Sequence, residues 1–205
     1  MDIGYRGLLV ILSGASGTGK DTVIKKLMKE SERFELSVSV TTREPRSGEK
    51  EGIDYFFIQS NEFRRRAEKS EFLEYAEYCG NFYGTPKANV FDMISKGRDV
   101  ILEIEVEGKV KVKKSYPDAV SIFILPPSME VLRERLSRRG SDNHEVIEKR
   151  LRRAREEIEC SRDYDYIVVN DSLEGCVEDI LKIVEAEHMR VKSSNYIIDE
   201  VLKNG

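Results

Sequence analysis

Cysteine is scarce in the 205 residues: Cys79, Cys160 and Cys176 are odd in number, far apart and include no C-x-x-C. That pattern argues against a disulfide framework or a zinc site, so the thiols read as buried or incidental and the setting as a reducing cytoplasm. Long hydrophobic runs are missing too. No segment approaches the roughly 20 apolar residues of a membrane-crossing helix, and the run Leu8 to Leu12 is too short for a signal-peptide core. Internal repeats and low-complexity linkers are absent. There is no excess of positive charge, since 38 acidic side chains face 34 basic ones for a formal net charge of −4. Nucleic acid and membrane surfaces are therefore not expected partners, and any anionic ligand must be held by locally concentrated arginines.

What is present suits one globular unit carrying insertions, with 35% charged and 40% apolar residues. The chain is organised around Leu8-Leu9-Val10-Ile11-Leu12-Ser13-Gly14-Ala15-Ser16-Gly17-Thr18-Gly19-Lys20-Asp21-Thr22. A strand-type apolar run meets a glycine-rich turn, and Val23, Ile24, Leu27 and Met28 then recur at helical spacing. Gly14, Gly17 and Gly19 allow backbone conformations in which successive N–H groups face one anion. The helix starting near Lys20 turns its positive dipole end to the same point, and Lys20 adds a mobile cation. This is the grammar of a phosphate-binding loop. In the strict pattern a Ser or Thr follows the lysine and places its hydroxyl on magnesium; here Asp21 follows, and Thr22 comes next.

Further on, the stretch from Phe34 alternates like a short strand and breaks into a loop at Pro45 and Gly48, with Arg43 and Arg46 beside several hydroxyls. Guanidinium groups three apart on such a loop suit phosphate. Asp54 to Ile58 reads as a strand, Ser60 as the cap of a helix through Phe63 and Ala67, and Phe72 to Ala76 as another strand before the turn Cys79-Gly80-Asn81. Glu74 lies within that apolar strand, so it either faces solvent or is held for a ligand. A helix is expected from Ala88 to Lys96. Asp99 to Gly108 reads as a core strand with acids at its C-terminal end, where Glu103 and Glu105 share one face and can hold magnesium waters or a base.

Val110 to Lys114 reads as a short helix, Ala119 to Leu125 as a buried strand, and Ser128 as the cap of the next helix. The arginine-rich region from Arg133 to Arg155 contains helical pairs such as Glu145 with Lys149 and Glu148 with Arg152, so most of its charges read as a solvated face. His144 reads as a helix-start residue. Tyr166 to Asp171 is a last strand and turn, followed by a helix from Leu173 with one apolar face. The tail 189–205 mixes apolar and charged residues and could pack back on the core, serve an oligomer or fray. Strands alternating with helices imply a parallel sheet covered on both faces.

Four motifs following that loop resemble guanylate kinases: S-V-S-V-T-T-R-E-P-R-S-G-E (Ser37 to Glu49), G-I-D-Y-F-F (Gly52 to Phe57), E-F-L-E-Y-A (Glu71 to Ala76) and N-F-Y-G-T (Asn81 to Thr85). The likeness extends to about residue 188. It implies an α/β fold in which residues 1–36, 90–126 and 146–205 form a P-loop parallel sheet core with helices on both faces. Residues 37–89 would be a mixed α/β monophosphate-binding insert, and 127–145 a short lid region with Gly140 as its hinge. The implied activity is transfer of the terminal phosphate of magnesium ATP to GMP, and to dGMP, by a cytoplasmic monomer or small homo-oligomer.

By the same resemblance, Gly14, Ala15, Ser16, Gly17, Thr18, Gly19, Lys20, Asp21, Thr22 and Asn170 would meet ATP. Thr22 would hold magnesium, with Asp21 and Glu103 as further candidates. Arg43, Arg46, Tyr55 and Tyr83 would hold the GMP phosphate, with Ser39, Glu49, Glu74, Thr85, Glu103 and Glu105 completing that site. Lys20, Arg43, Arg135, Arg139 and Arg150 would stabilise the moving phosphoryl group. Guanine presents two adjacent donors that one carboxylate accepts, whereas adenine would set a lone pair against Glu74. The family commonly has Gly where Asp21 stands, Asp where Glu105 stands and Ser where Thr85 stands. Guanylate-kinase-like domains of scaffold proteins, which grip phosphorylated peptides, are the alternative; the intact glycine loop, Lys20 and the lid arginines favour an enzyme.

Overall fold

The apolar run becomes β1 (Leu9–Gly14), whose first five residues are buried, as a strand covered on both faces requires. In the computed structural model, which describes residues 6–138 and 143–203, the glycine loop leads from β1 into α1 (Lys20–Glu30), which buries Val23, Ile24 and Leu27. The stretch expected to be one short strand from Phe34 is divided between two sheets. β2 (Phe34–Leu36) pairs alongside Asp99 to Ile101, whereas β3 (Val40–Thr41) pairs with Gly84 and Tyr83. The chain crosses from one sheet to the other at Ser37 to Ser39, and the Ser37 N–H still donates to the Ile101 carbonyl at 2.9 Å.

The second sheet continues with β4 (Phe56–Phe57), shorter than the run Asp54 to Ile58, and α2 (Ser60–Glu68). Ser60 does not cap α2: Gln59 stands at the N-cap, extended and without a side-chain cap bond, and burial of Phe63 secures the helix instead. β5 (Phe72–Tyr78) and β6 (Asn81–Pro86) form a hairpin through Cys79 and Gly80, with φ of +50° and +75°. Positive φ at both turn positions matches the right-handed twist of the strands. The order is β4-β3-β6-β5, with β3 and β4 parallel and the other pairs antiparallel. Its core is a phenylalanine stack, Phe63 lying 4.6 Å from Phe72 and 5.3 Å from Phe82 between ring centroids.

The chain then returns through α3 (Lys87–Ser95), β7 (Asp99–Glu103), α4 (Val106–Ser115) and β8 (Val120–Leu125). α5 (Met129–Arg138) and α6 (His144–Glu159) follow, then a short 3-10 turn (Cys160–Asp163), β9 (Tyr166–Val169), α7 (Leu173–His188) and α8 (Val191–Lys203). The first sheet has the order β2-β7-β1-β8-β9 and is parallel throughout. Alternation along its strands divides the core. Val10, Leu12 and Ile101 pack under α1 and α7, while Leu9, Ile11, Val100 and Leu102 pack under α3 and α4.

The residues expected as a lid begin as α5, whose Leu132 and Leu136 are buried with Ala15 of the glycine loop. Ser128 caps this helix as expected, its hydroxyl accepting the Val131 N–H at 3.2 Å. Arg139 and Gly140 lie outside the described residues. His144 opens α6, capped by Asn143, whose side chain accepts the Val146 N–H at 2.9 Å. Beyond α7 the tail is helical, tied by Lys192 to Asp118 at 2.9 Å, and it leaves Val191, Val201 and Leu202 exposed. No helix among the described residues is long and apolar enough to cross a membrane.

Candidate active site

In the loop after β1, φ is +94° at Gly17 and +89° at Gly19, where a side chain would be strained. Space forbids one as well. A Cβ on Gly17 would stand 2.8 Å from a Leu136 methyl, and one on Gly19 would stand 2.7 Å from the Asn170 amide nitrogen. Gly19 is also the N-cap of α1, so the helix dipole opens directly on the loop.

The predicted Arg135, Arg150 and Asn170 all gather on this loop. Asn170, buried at the end of β9, donates through Nδ2 to the Thr18 carbonyl at 2.7 Å. Arg135 reaches the same carbonyl at 3.3 Å and the Asn170 carbonyl at 2.9 Å. Arg150 donates to Ser16 Oγ at 2.6 Å. Ala15 and Thr18 are buried, and the Thr18 hydroxyl has no hydrogen-bond partner among the described residues. Asp21 and Thr22 are exposed on the first turn of α1.

Lys20 is ion-paired with Glu103 at the end of β7. Glu105 does not share a strand face with Glu103, contrary to the expectation from their spacing. The last pair of β7 with β1 is Leu12 with Glu103, and the Ile104 carbonyl turns to accept Ser13 Oγ at 2.7 Å. The strand therefore stops, and Glu105 becomes the N-cap of α4 with its side chain free of the cap role.

Across the cleft, Arg43 donates to Glu49 Oε1 at 2.8 Å and to the Glu44 carbonyl at 2.7 Å, and it hydrogen-bonds Tyr83. Its guanidinium lies 5.5 Å from the centre of the Tyr55 ring, which meets Tyr83 edge-on at 6.0 Å. Glu49 also accepts the Arg46 N–H at 2.7 Å, and these two bonds hold its carboxyl below the usual carboxylate value. Burial pushes the Tyr55 phenol up, with Tyr83 adding to the effect. Arg46 itself is exposed, and Ser39 lies in the connection ahead of β3, its carbonyl accepting the Phe56 N–H at 2.9 Å.

Glu74 and Thr85 form the most enclosed polar pair of the insert, the hydroxyl donating to Oε1 at 2.7 Å with both residues buried. Burial raises the Glu74 carboxyl above its ordinary value, opposed by the Thr85 bond and by Lys111. α4 comes close to the other oxygen. A Cβ on Gly108 would lie 3.3 Å from Glu74 Oε2, and Lys111 reaches over to the Tyr75 carbonyl at 2.5 Å.

Two residues of α6 that the sequence did not single out also stand at this site. Arg153 lies 2.7 Å from Glu157, and the Ser16 amide of the glycine loop favours the charged form of Glu157 against its burial. Their signal was positional: 150, 153 and 157 fall on one face of a helix. Glu148, expected to pair along α6, instead bridges to Arg133 on α5.

Comparison with known proteins shows the family and the fold. The family model for guanylate kinase matches residues 6–187. A guanylate kinase of Carboxydothermus hydrogenoformans is 46% identical over 192 residues, 94% of each chain. One from Streptococcus thermophilus is 51% identical over 91% of this chain and 90% of its own. The crystal structure of guanylate kinase from Anaplasma phagocytophilum superposes with a TM-score of 0.70 at 40% identity, covering 91% of this chain and 88% of that one.

Proposed function

This chain belongs to the guanylate kinase family and carries out the ATP-dependent phosphorylation of GMP; we propose how its residues divide that work. The glycine-loop amides and Lys20 hold the outer phosphates of ATP, Lys20 leaving Glu103 to do so. Arg43, Arg46, Tyr55 and Tyr83 hold the phosphate of GMP, with Glu49 keeping Arg43 in place. Glu74 accepts the two adjacent donors of guanine, while Thr85 turns its hydroxyl to the base oxygen, and Ser39 and Glu105 flank the base.

A GMP phosphate oxygen forms the new bond to the terminal phosphorus of ATP, and the bond from that phosphorus to the bridging oxygen breaks, releasing ADP. The attacking oxygen is already anionic, so no general base is needed. Charge spreading over the moving group is relieved by Arg43, Arg135 and Arg150, with Arg139 added from the lid.

Magnesium fits the donor chemistry, which is of hard oxygens: the exposed Thr22 hydroxyl would hold it, with the Asp21 carboxylate beside it in the chain and Glu103 at the end of β7 as further candidates. No group of three or more metal-ligating side chains occurs among the described residues, as suits an ion carried chiefly by phosphates and water. When bound it would neutralise charge on the phosphate oxygens of ATP around the phosphorus–oxygen bond that breaks.

The observation that carries the choice of GMP is the buried Glu74 carboxylate, an acceptor-only group that adenine would leave unsatisfied. The test is ADP release from magnesium ATP with GMP, dGMP, AMP, CMP, UMP and dTMP supplied separately. Rapid release with GMP, weaker release with dGMP and background with the others is expected. Preference for another monophosphate would overturn the role of Glu74. Binding of GMP without turnover would instead favour the peptide-gripping scaffold reading.

A further inference from the structure

We propose that Arg153 is a positioning residue for GMP: it holds the Glu105 carboxylate at the acceptor base, and Glu157 in turn holds Arg153. The proposal rests on reading Glu105 as a GMP-facing acid. Arg153 Nη2 lies 3.9 Å from Glu105 Oε2, and its Nε lies 2.7 Å from Glu157 Oε1. One cation thus joins the start of α4 to α6, the helix that carries it.

The two carboxylates differ in kind. Glu157 is 14% exposed, and its 2.7 Å bond to Arg153 is the closest of the three charges' contacts. Glu105 is 67% exposed and makes no cap bond to α4. Left alone, Glu105 would relax into solvent. Glu105 and Glu157 also repel each other, and this repulsion adds to the burial that raises the Glu157 carboxyl. Arg153 between them removes the repulsion and gives Glu105 a direction.

The consequence is a relay from the donor loop to the acceptor base. Arg150, one turn before Arg153 on α6, meets the loop at the Ser16 hydroxyl, and the Ser16 amide favours the charged form of Glu157. Through Arg153 the same helix face reaches the acid on the GMP side.

The experiment is steady-state kinetics of the full chain, varying GMP at saturating ATP and then the reverse, for Arg153→Ala, Arg153→Lys, Glu105→Gln and the double variant Glu105→Gln with Arg153→Ala. Both side chains are mainly exposed, so these variants should fold, and thermal melts check it. Arg153→Ala should raise KM for GMP about two- to fivefold, the scale of an exposed ion pair, with kcat and the KM for ATP little changed. Lysine should restore part of the loss. Glu105→Gln should raise the same KM, and the double variant should be no worse than Glu105→Gln alone. Equal penalties for Arg153→Ala with and without Glu105 would overturn the proposal, as would a rise in the KM for ATP instead. A silent Arg153→Ala beside an effective Glu105→Gln overturns the relay and leaves the reading of Glu105 standing. A silent Glu105→Gln overturns both.

Discussion

In the five-stranded sheet every pair is parallel and Leu9 to Leu12 are no more than 1% exposed, whereas the insert sheet contains two strands of only two residues and a core of a few phenylalanines. The site residues follow the same division. On the core side, Arg135 and Asn170 rest on backbone carbonyls of the glycine loop and of β9. On the insert side, Arg43 rests on Glu49, and Thr85 rests on Glu74. A group held by the main chain is located by the fold itself. A group held by another side chain is located by a bond that a substrate can exchange, at the cost of a few rotamers. Arg135 and Asn170 are therefore in place before ATP arrives, whereas Lys20 and Arg150 on the donor side, and the acceptor residues, are held by side-chain partners that a substrate can replace.

The strongest way to break that contrast is to remove the small core of the insert. Phe63→Ala should cost about 3–5 kcal/mol, because Phe63 is 1% exposed and stacked between two other rings. Hydrogen exchange should show the loss in residues 40–86 and leave β1, β7 and β8 protected; uniform loss would mean that the two sheets are one cooperative unit. Next comes Lys20→Met, which should lower kcat about 10²–10³-fold while the thermal midpoint and GMP binding persist. A large change in GMP affinity would show that the donor loop also builds the acceptor site.

Glu74→Gln sharpens the contrast. It should lower kcat/KM for GMP about 10- to 100-fold, the range of a lost hydrogen bond to a charged group, yet raise the melting temperature of the free protein by about 2 °C. The sign follows from burial. A carboxyl raised by burial makes the free protein more stable as pH falls toward its ordinary value of 4.5, and that gain is lost as pH rises through the raised value. KM for GMP should move the opposite way, climbing as pH falls through the raised value, because a protonated Glu74 cannot accept both donors of guanine. The glutamine variant should lose that acid limb. The smallest effect belongs to Asp21→Gly, which should shift the magnesium dependence by about twofold, the scale of an exposed charge at a helix start; an unchanged magnesium titration would remove Asp21 from the metal's surroundings.

Much of the fold was legible because burial leaves a periodic trace. The apolar runs around β1, β7, β8 and β9 and the helical spacing of Val23, Ile24 and Leu27 are local signals, and the sheet uses them as they stand. The misreadings occurred where a distant partner decided the outcome. Phe34 to Thr41 looks like one strand, but Leu36 pairs with Ile101 and Val40 with Gly84, so its halves belong to different sheets. Ser60 has the chemistry of a cap and is already helical, because the buried ring of Phe63 sets where α2 begins. Glu148 reaches Arg133 on another helix.

The sequence by itself determined the order of strand, glycine loop and helix and the placing of Lys20, since each rests on residue type and short spacing, while the acceptor-site candidates followed from the resemblance of four motifs to guanylate kinases. Only the tertiary structure decided that Glu105 leaves the strand to start α4, that Lys20 meets Glu103, and that Arg153 and Glu157 stand at the cleft rather than on a solvated face. The physical reason is range. Backbone propensity and periodicity act over a few residues, whereas the partner of a charged side chain is chosen by whichever opposite charge or free amide the packed helices bring within about 4 Å.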